Sequence, residues 1–130
     1  MLKQLSRIAI FISVVVIVTN CKKFGKPFDT YFFTDIESTA GPLQLFVDGN
    51  NKGHLPDLKT SMSPDNDTII RQALHLTLKA GKYHLQAKDS LSNVISECTL
   101  KFSSTSTRLS GGKGGQATSS SSDRLVTKFY

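Results

Sequence analysis

The sequence predicts an all-β protein of antiparallel strands, led by an N-terminal helical segment of signal-peptide type. Three observations carry this. Several stretches alternate strictly between apolar and polar residues, the period of a half-buried strand. No window beyond the first 20 residues holds a convincing amphipathic helix. The chain opens with a basic stretch and then a short apolar run. Its 130 residues suffice for one small domain, and 38% hydrophobic with 20% charged residues is the composition of a globular protein.

Lys3 and Arg7 precede the apolar run Ile8 to Val18, interrupted only by Ser13. Those residues as a helix span about 16 Å, against roughly 30 Å of membrane hydrocarbon. The run therefore suits a signal-peptide core better than a membrane-spanning helix. Val18-Thr19-Asn20-Cys21 follows directly and resembles the lipobox, the cleavage motif of bacterial lipoprotein precursors, although Asn20 stands where Gly, Ala or Ser is usual. The resemblance implies that residues 1–20 are a signal peptide, that Cys21 is lipidated, and that the membrane is a partner through that cysteine. It implies a bacterial cell-envelope protein anchored to the outer membrane. Lys22, Lys23 and Lys26 lie where cations meet anionic headgroups, worth roughly 1 kcal/mol each. Basic rather than acidic residues after Cys21 favour a periplasm-facing anchor.

Residues 21–28, with Gly25 and Pro27, read as a tether, and the domain proper as residues 29–103. Tyr31 to Ile36 is aromatic and β-branched, with loose alternation. Leu43, Leu45 and Val47 alternate with polar or less regular neighbours, and Asp48 to Gly53 is a turn cluster of residues that accept positive φ. Residues 56–68 read as a loop. Leu74, Leu76 and Leu78, then Tyr83, Leu85 and Ala87, predict a hairpin about Ala80-Gly81 with Leu78 opposite Tyr83 and Leu76 opposite Leu85. Ala is a poor first residue for such a turn. After the turn Asp89 to Asn93, the row Val94, Ser96, Cys98, Leu100 and Phe102 gives another strand. Residues 104–123, rich in Ser and Gly, predict a flexible segment. Residues 124–130 regain β character and predict a terminal strand docked on the sheet.

Charge excludes one class. There are 16 Lys+Arg against 10 Asp+Glu; removing Lys3 and Arg7 leaves 14, a net charge of +4. The basic residues are scattered rather than gathered on one face with aromatics between them, so nucleic acid is not expected as a partner. There is no G-x-S-x-G, H-E-x-x-H or phosphate-binding loop. No catalytic residue, cofactor or small-molecule substrate is therefore expected. Metal binding has one candidate set: His75 and His84, diagonal neighbours in the expected hairpin about 7–8 Å apart, with His54 as a third ligand. Two outward polar residues are the commoner meaning of such a pair, and metal is not expected. Cys98 falls on the inward row, where cysteine packs as a small hydrophobe. Asp48, Asp57, Asp65, Asp67 and Asp89 lack the ligand spacing of a calcium loop and read as turn caps.

Val47-Asp48-Gly49, Gly53, Pro56 and Leu76-Thr77-Leu78-Lys79-Ala80-Gly81-Lys82-Tyr83 resemble the PEGA-type module of bacterial envelope proteins, a small immunoglobulin-like β-sandwich. The stretch from Asp57 to Ala73 is longer than that module allows. The resemblance implies an antiparallel sandwich of six to eight strands and a role in envelope scaffolding. The expected function is thus a lipid-anchored, non-enzymatic binding or scaffolding module, an accessory to another envelope protein. The alternative is a periplasmic metal-binding protein using the surface histidines.

Overall fold

A computed structural model describes residues 27–130 apart from residues 39, 61, 62 and 122. The expected signal peptide, Cys21 and residues 21–26 of the expected tether lie outside the described residues. The chain is a β-sandwich, as the alternation predicts. One sheet has the order β4-β1-β9-β8 and the other β3-β2-β5-β6-β7. The strands are β1 (Pro27–Thr34), β2 (Gln44–Val47), β3 (Asn50–His54), β4 (Leu74–Lys79), β5 (Gly81–Lys88), β6 (Val94–Phe102), β7 (Thr107–Lys113), β8 (Gln116–Ser120) and β9 (Arg124–Phe129). A single short helix, α1 (Asp67–Gln72), completes the described elements. No helix among the described residues is long and apolar enough to cross a membrane.

The core lies between the sheets. Phe32, Leu45, Leu85, Leu100, Leu125 and Phe129 are buried there, and the rows Leu74, Leu76, Leu78 and Ser96, Cys98, Leu100, Phe102 face it as expected. Two threonines of β1 also point inward. Each satisfies its hydroxyl on a carbonyl, Thr30 on Leu76 O at 2.6 Å and Thr34 on Phe129 O at 3.0 Å, which removes most of the cost of burying them.

The loose alternation of β1 has a physical cause. Tyr31 and Phe33 face away from the sandwich core yet are buried, because Ile69 of α1 and the loop residue Leu58 cover them together with Val126. β1 also pairs in parallel with β9. A strand covered on both faces reads as a nearly continuous apolar run. The helix begins in the last residues of the expected loop and runs beyond it: the Asn66 side chain accepts the Thr68 N–H at 2.9 Å as N-cap, and Asp67 sits in the first turn. Full burial of Ile69 beneath it contributes roughly 2 kcal/mol, enough to hold one and a half turns that would not form alone.

Three expectations are corrected. First, β4 and β5 are not a hairpin. β4 pairs with β1 in one sheet, whereas β5 pairs with β2 and β6 in the other, and Ala80 is the corner between them. A two-residue hairpin needs positive φ at its turn, and neither Ala80 nor Gly81 has it. By contrast Asp48 and Gly49, with φ of 51° and 83°, do make the two-residue turn between β2 and β3. Second, residues 104–123 are not a flexible segment: they hold β7 and β8. Their glycines are structural. Gly112, at φ 107°, sits where a Cβ would lie 1.8 Å from Glu97 O, at a bulge in the β6–β7 pairing. Gly114 and Gly115 then carry the chain from one sheet to the other. Third, the tether does not extend to residue 28, since β1 starts at Pro27, so the sandwich runs from residue 27 to residue 129. The terminal strand does dock, between β1 and β8.

Candidate functional site

Among the described residues, a cleft of about 330 Å³ opens at one side of the sandwich. The buried core residues Phe28, Phe102 and Leu125 close its floor. Around them stand hydroxyls from two segments: the β6–β7 turn, residues 103–107, and the strand β8 with its exit, Thr118, Ser120 and Ser121. The turn is tied by its own side chains. Ser103 Oγ lies 3.3 Å from both Thr105 Oγ1 and Ser106 Oγ, and Ser103 N–H donates to Ser106 O at 2.8 Å. Arg124 completes the lining.

This lining can exchange hydrogen bonds with a polar ligand. Each hydroxyl serves as donor or acceptor. The described lining residues include no His, Asp, Glu or Cys, so no general base stands beside the serines. Sequence reasoning missed these residues, because a serine-rich stretch carries the same composition whether it is linker or strand edge. The usable signal was Thr107 and Leu109, then Gln116, Thr118 and Ser120, at strand spacing on either side of a glycine cluster.

The histidines are separated. His75 lies on β4, stacked on Tyr31 with ring centroids 4.9 Å apart, and its Nε2 meets Asp29 Oδ1 at 2.9 Å. His84 lies on β5 in the other sheet, where its Nε2 meets Glu97 Oε1 at 2.5 Å and Gln86 donates to the same oxygen at 3.2 Å. His54 ends β3 opposite Gln44. The diagonal neighbourhood of His75 and His84 was a consequence of the hairpin, and it fails with it. Among the described residues no group of three or more His, Cys, Asp or Glu is gathered as metal ligands.

Cys98 sits in the core at 1% exposure as a free thiol, and burial, with Glu97 adding to it, pushes its pKa up to about 11. A thiol so shifted is a poor nucleophile. Of the aspartates, Asp89 caps its own turn, whereas Asp48 reaches across to a neighbouring strand. Asp48 accepts the His84 N–H at 2.8 Å. Asp89 accepts the N–H groups of Leu91 and Asn93, each at 2.9 Å, and those bonds hold its carboxyl below the ordinary range. Cys21 lies outside the described residues.

Comparison with protein-family models, with curated proteins and with solved structures finds no match.

Proposed function

We propose that this chain is a lipid-anchored, non-enzymatic binding module of the bacterial cell envelope, an accessory that holds or positions another envelope protein. The observation that carries the reading is Val18-Thr19-Asn20-Cys21 placed directly after an apolar run of signal-peptide length. Lipid chains at about 0.8 kcal/mol per buried methylene give durable anchoring once two or more are present. Only residues 22–26 lie between Cys21 and the first strand at Pro27. Even fully extended, that link reaches about 20 Å. The domain would therefore work close to the membrane, with its Lys22, Lys23 and Lys26 against the headgroups. The hydroxyl-lined cleft supports a binding role, and a polar segment of a partner protein is the ligand chemistry that fits it. The absence of Trp from the chain makes a sugar-stacking role the weaker choice.

Metabolic labelling with a palmitate analogue tests the anchor. The wild-type chain takes up label, and Cys21→Ala loses it and leaves an uncut precursor or a soluble product. Label that persists in Cys21→Ala removes the reading. For the partner, in-cell cross-linking from the cleft at Ser104 should recover one defined envelope protein, and Thr118→Arg should abolish that adduct. Diffuse adducts unchanged by the substitution would exclude the cleft as the binding surface.

A further inference from the structure

The two sheets have four edges, and three of them are guarded against pairing. β3 carries Lys52 and faces a bulge in its register with β2. β7 carries Arg108 and Lys113 and contains the Gly111-Gly112 bulge. β4 carries Lys79 and His75. These are the usual devices that keep a sheet edge from joining another. β8, Gln116-Ala117-Thr118-Ser119-Ser120, has no charge, no proline, no glycine and an unbroken register with β9.

The hydrogen-bond parity of β8 is fixed. Gly115 and Tyr130 exchange both bonds, N–H to O at 3.0 and 2.9 Å, and Ser121 N–H donates to Arg124 O at 2.9 Å. In an antiparallel ladder such pairs recur at every second residue, so Ala117 and Ser119 also turn their backbone groups toward β9. Gln116, Thr118 and Ser120 turn theirs away. Their three N–H and three C=O groups point outward from the sheet, and none of them bonds to another described residue.

We propose that β8 is a self-pairing edge, through which two copies of this chain join β8 to β8, antiparallel, about a two-fold axis at Thr118. Centred there, Thr118 opposes Thr118, Gln116 opposes Ser120 and Ala117 opposes Ser119. Every outward group then finds a partner: three pairs, each exchanging two bonds, satisfy all the outward donors and acceptors of both copies. The two four-stranded sheets become one sheet of eight strands. A second copy is favoured over another strand because the segment is complementary to itself. It brings no like charges face to face, whereas β7 against its own copy would crowd Arg108 and Lys113, and the chain as a whole is basic. Small side chains at Ala117 and Ser119 also let the edges approach on the outer face. An isologous contact of this kind closes as a dimer instead of growing into a fibre.

Cysteine cross-linking of the full chain, purified in detergent micelles, tests the register. Across the two-fold, Thr118 Cα atoms would be about 5.5 Å apart, inside the disulfide range of about 4.4–6.8 Å. Gln116 would be about 14 Å from its copy at 3.4 Å per residue. Under mild oxidation, Thr118→Cys should give a reducible dimer at least tenfold above Gln116→Cys and above the wild-type chain. Sedimentation of the wild-type chain should show a concentration-dependent dimer. Thr118→Pro, which removes only an outward N–H and is tolerated on an edge, should shift it to monomer with an unchanged far-ultraviolet spectrum. Equal cross-linking at both positions, or a wild-type monomer at every concentration, overturns the proposal. Should Thr118→Pro unfold the domain, the cysteine pair still decides.

Discussion

Phe129→Ala is the sharpest test of how the sandwich is held together. Phe129 is fully buried in the main core, on a strand flanked by β1 and β8. Its carbonyl accepts the Asp35 N–H at 3.1 Å and the Thr34 hydroxyl at 3.0 Å, and these backbone bonds survive the substitution. The loss is therefore the buried ring alone, a transfer cost plus a cavity of roughly 3–5 kcal/mol. A domain of this size has a total stability of about 5–15 kcal/mol, and each kcal/mol moves Tm by roughly 4–8 °C. The expected fall in Tm is about 12–40 °C. Tyr130→Ala, one residue further at 58% exposure, is the control and should cost under about 0.5 kcal/mol. Paired urea titrations and thermal melts of the two variants make the measurement. If Phe129→Ala lies within about 1 kcal/mol of Tyr130→Ala, the C-terminal strand is not docked between β1 and β8, and the burial argument for this part of the core fails.

Gly112→Ala should cost roughly 3–5 kcal/mol, since its Cβ would meet Glu97 O at 1.8 Å; Gly111→Ala, with nothing within 4 Å, should cost only the roughly 1–2 kcal/mol of a left-handed alanine. Equal costs would exclude the bulge. The carboxyl of Asp89 is held below its usual value by bonds made only in the folded turn, so the stability it gives is present above the unfolded pKa and is lost as pH falls through the folded one. Urea midpoints for Asp89→Ala should accordingly lie below wild type at pH 7 and converge with it in acid; a constant gap would refute the linkage. Cys98 has its pKa raised from 9.0 to about 11, so its contribution is intact below pH 9 and is lost as pH climbs toward 11. Alkylation of Cys98 at pH 8 should run at least about 100-fold slower in the native than in the urea-unfolded chain; comparable rates would place the thiol outside the core.

How much of this fold was legible follows from what alternation encodes. A period of two tells which residues share a face, and that reading holds for Leu74 to Leu78, for Leu85 and Ala87, and for Ser96 to Phe102. It does not tell which strand lies beside which. Leu74–Lys79 and Gly81–Lys88 present the same inward rows whether Ala80 turns a hairpin or a corner, because in a sandwich both sheets face one core. What separates the two cases is backbone conformation at the turn, and neither Ala80 nor Gly81 takes the positive φ that a two-residue hairpin needs. The histidine pair depended on that neighbourhood and fell with it. The cleft was hidden for a related reason. Serine and glycine lower the apolar content of a segment, so composition reads 104–123 as unable to offset its ordering entropy. Yet β7 and β8 carry little core themselves; they are ordered by ladders to β6 and β9, whose Leu100, Phe102, Leu125 and Phe129 supply the burial. A polar strand on the margin of a sandwich is stabilised by its neighbours' side chains and its own backbone, and neither quantity appears in its own composition. In β8 the outward backbone groups of Gln116, Thr118 and Ser120 meet no other described residue, so part of the segment that composition marks as linker is an open sheet edge.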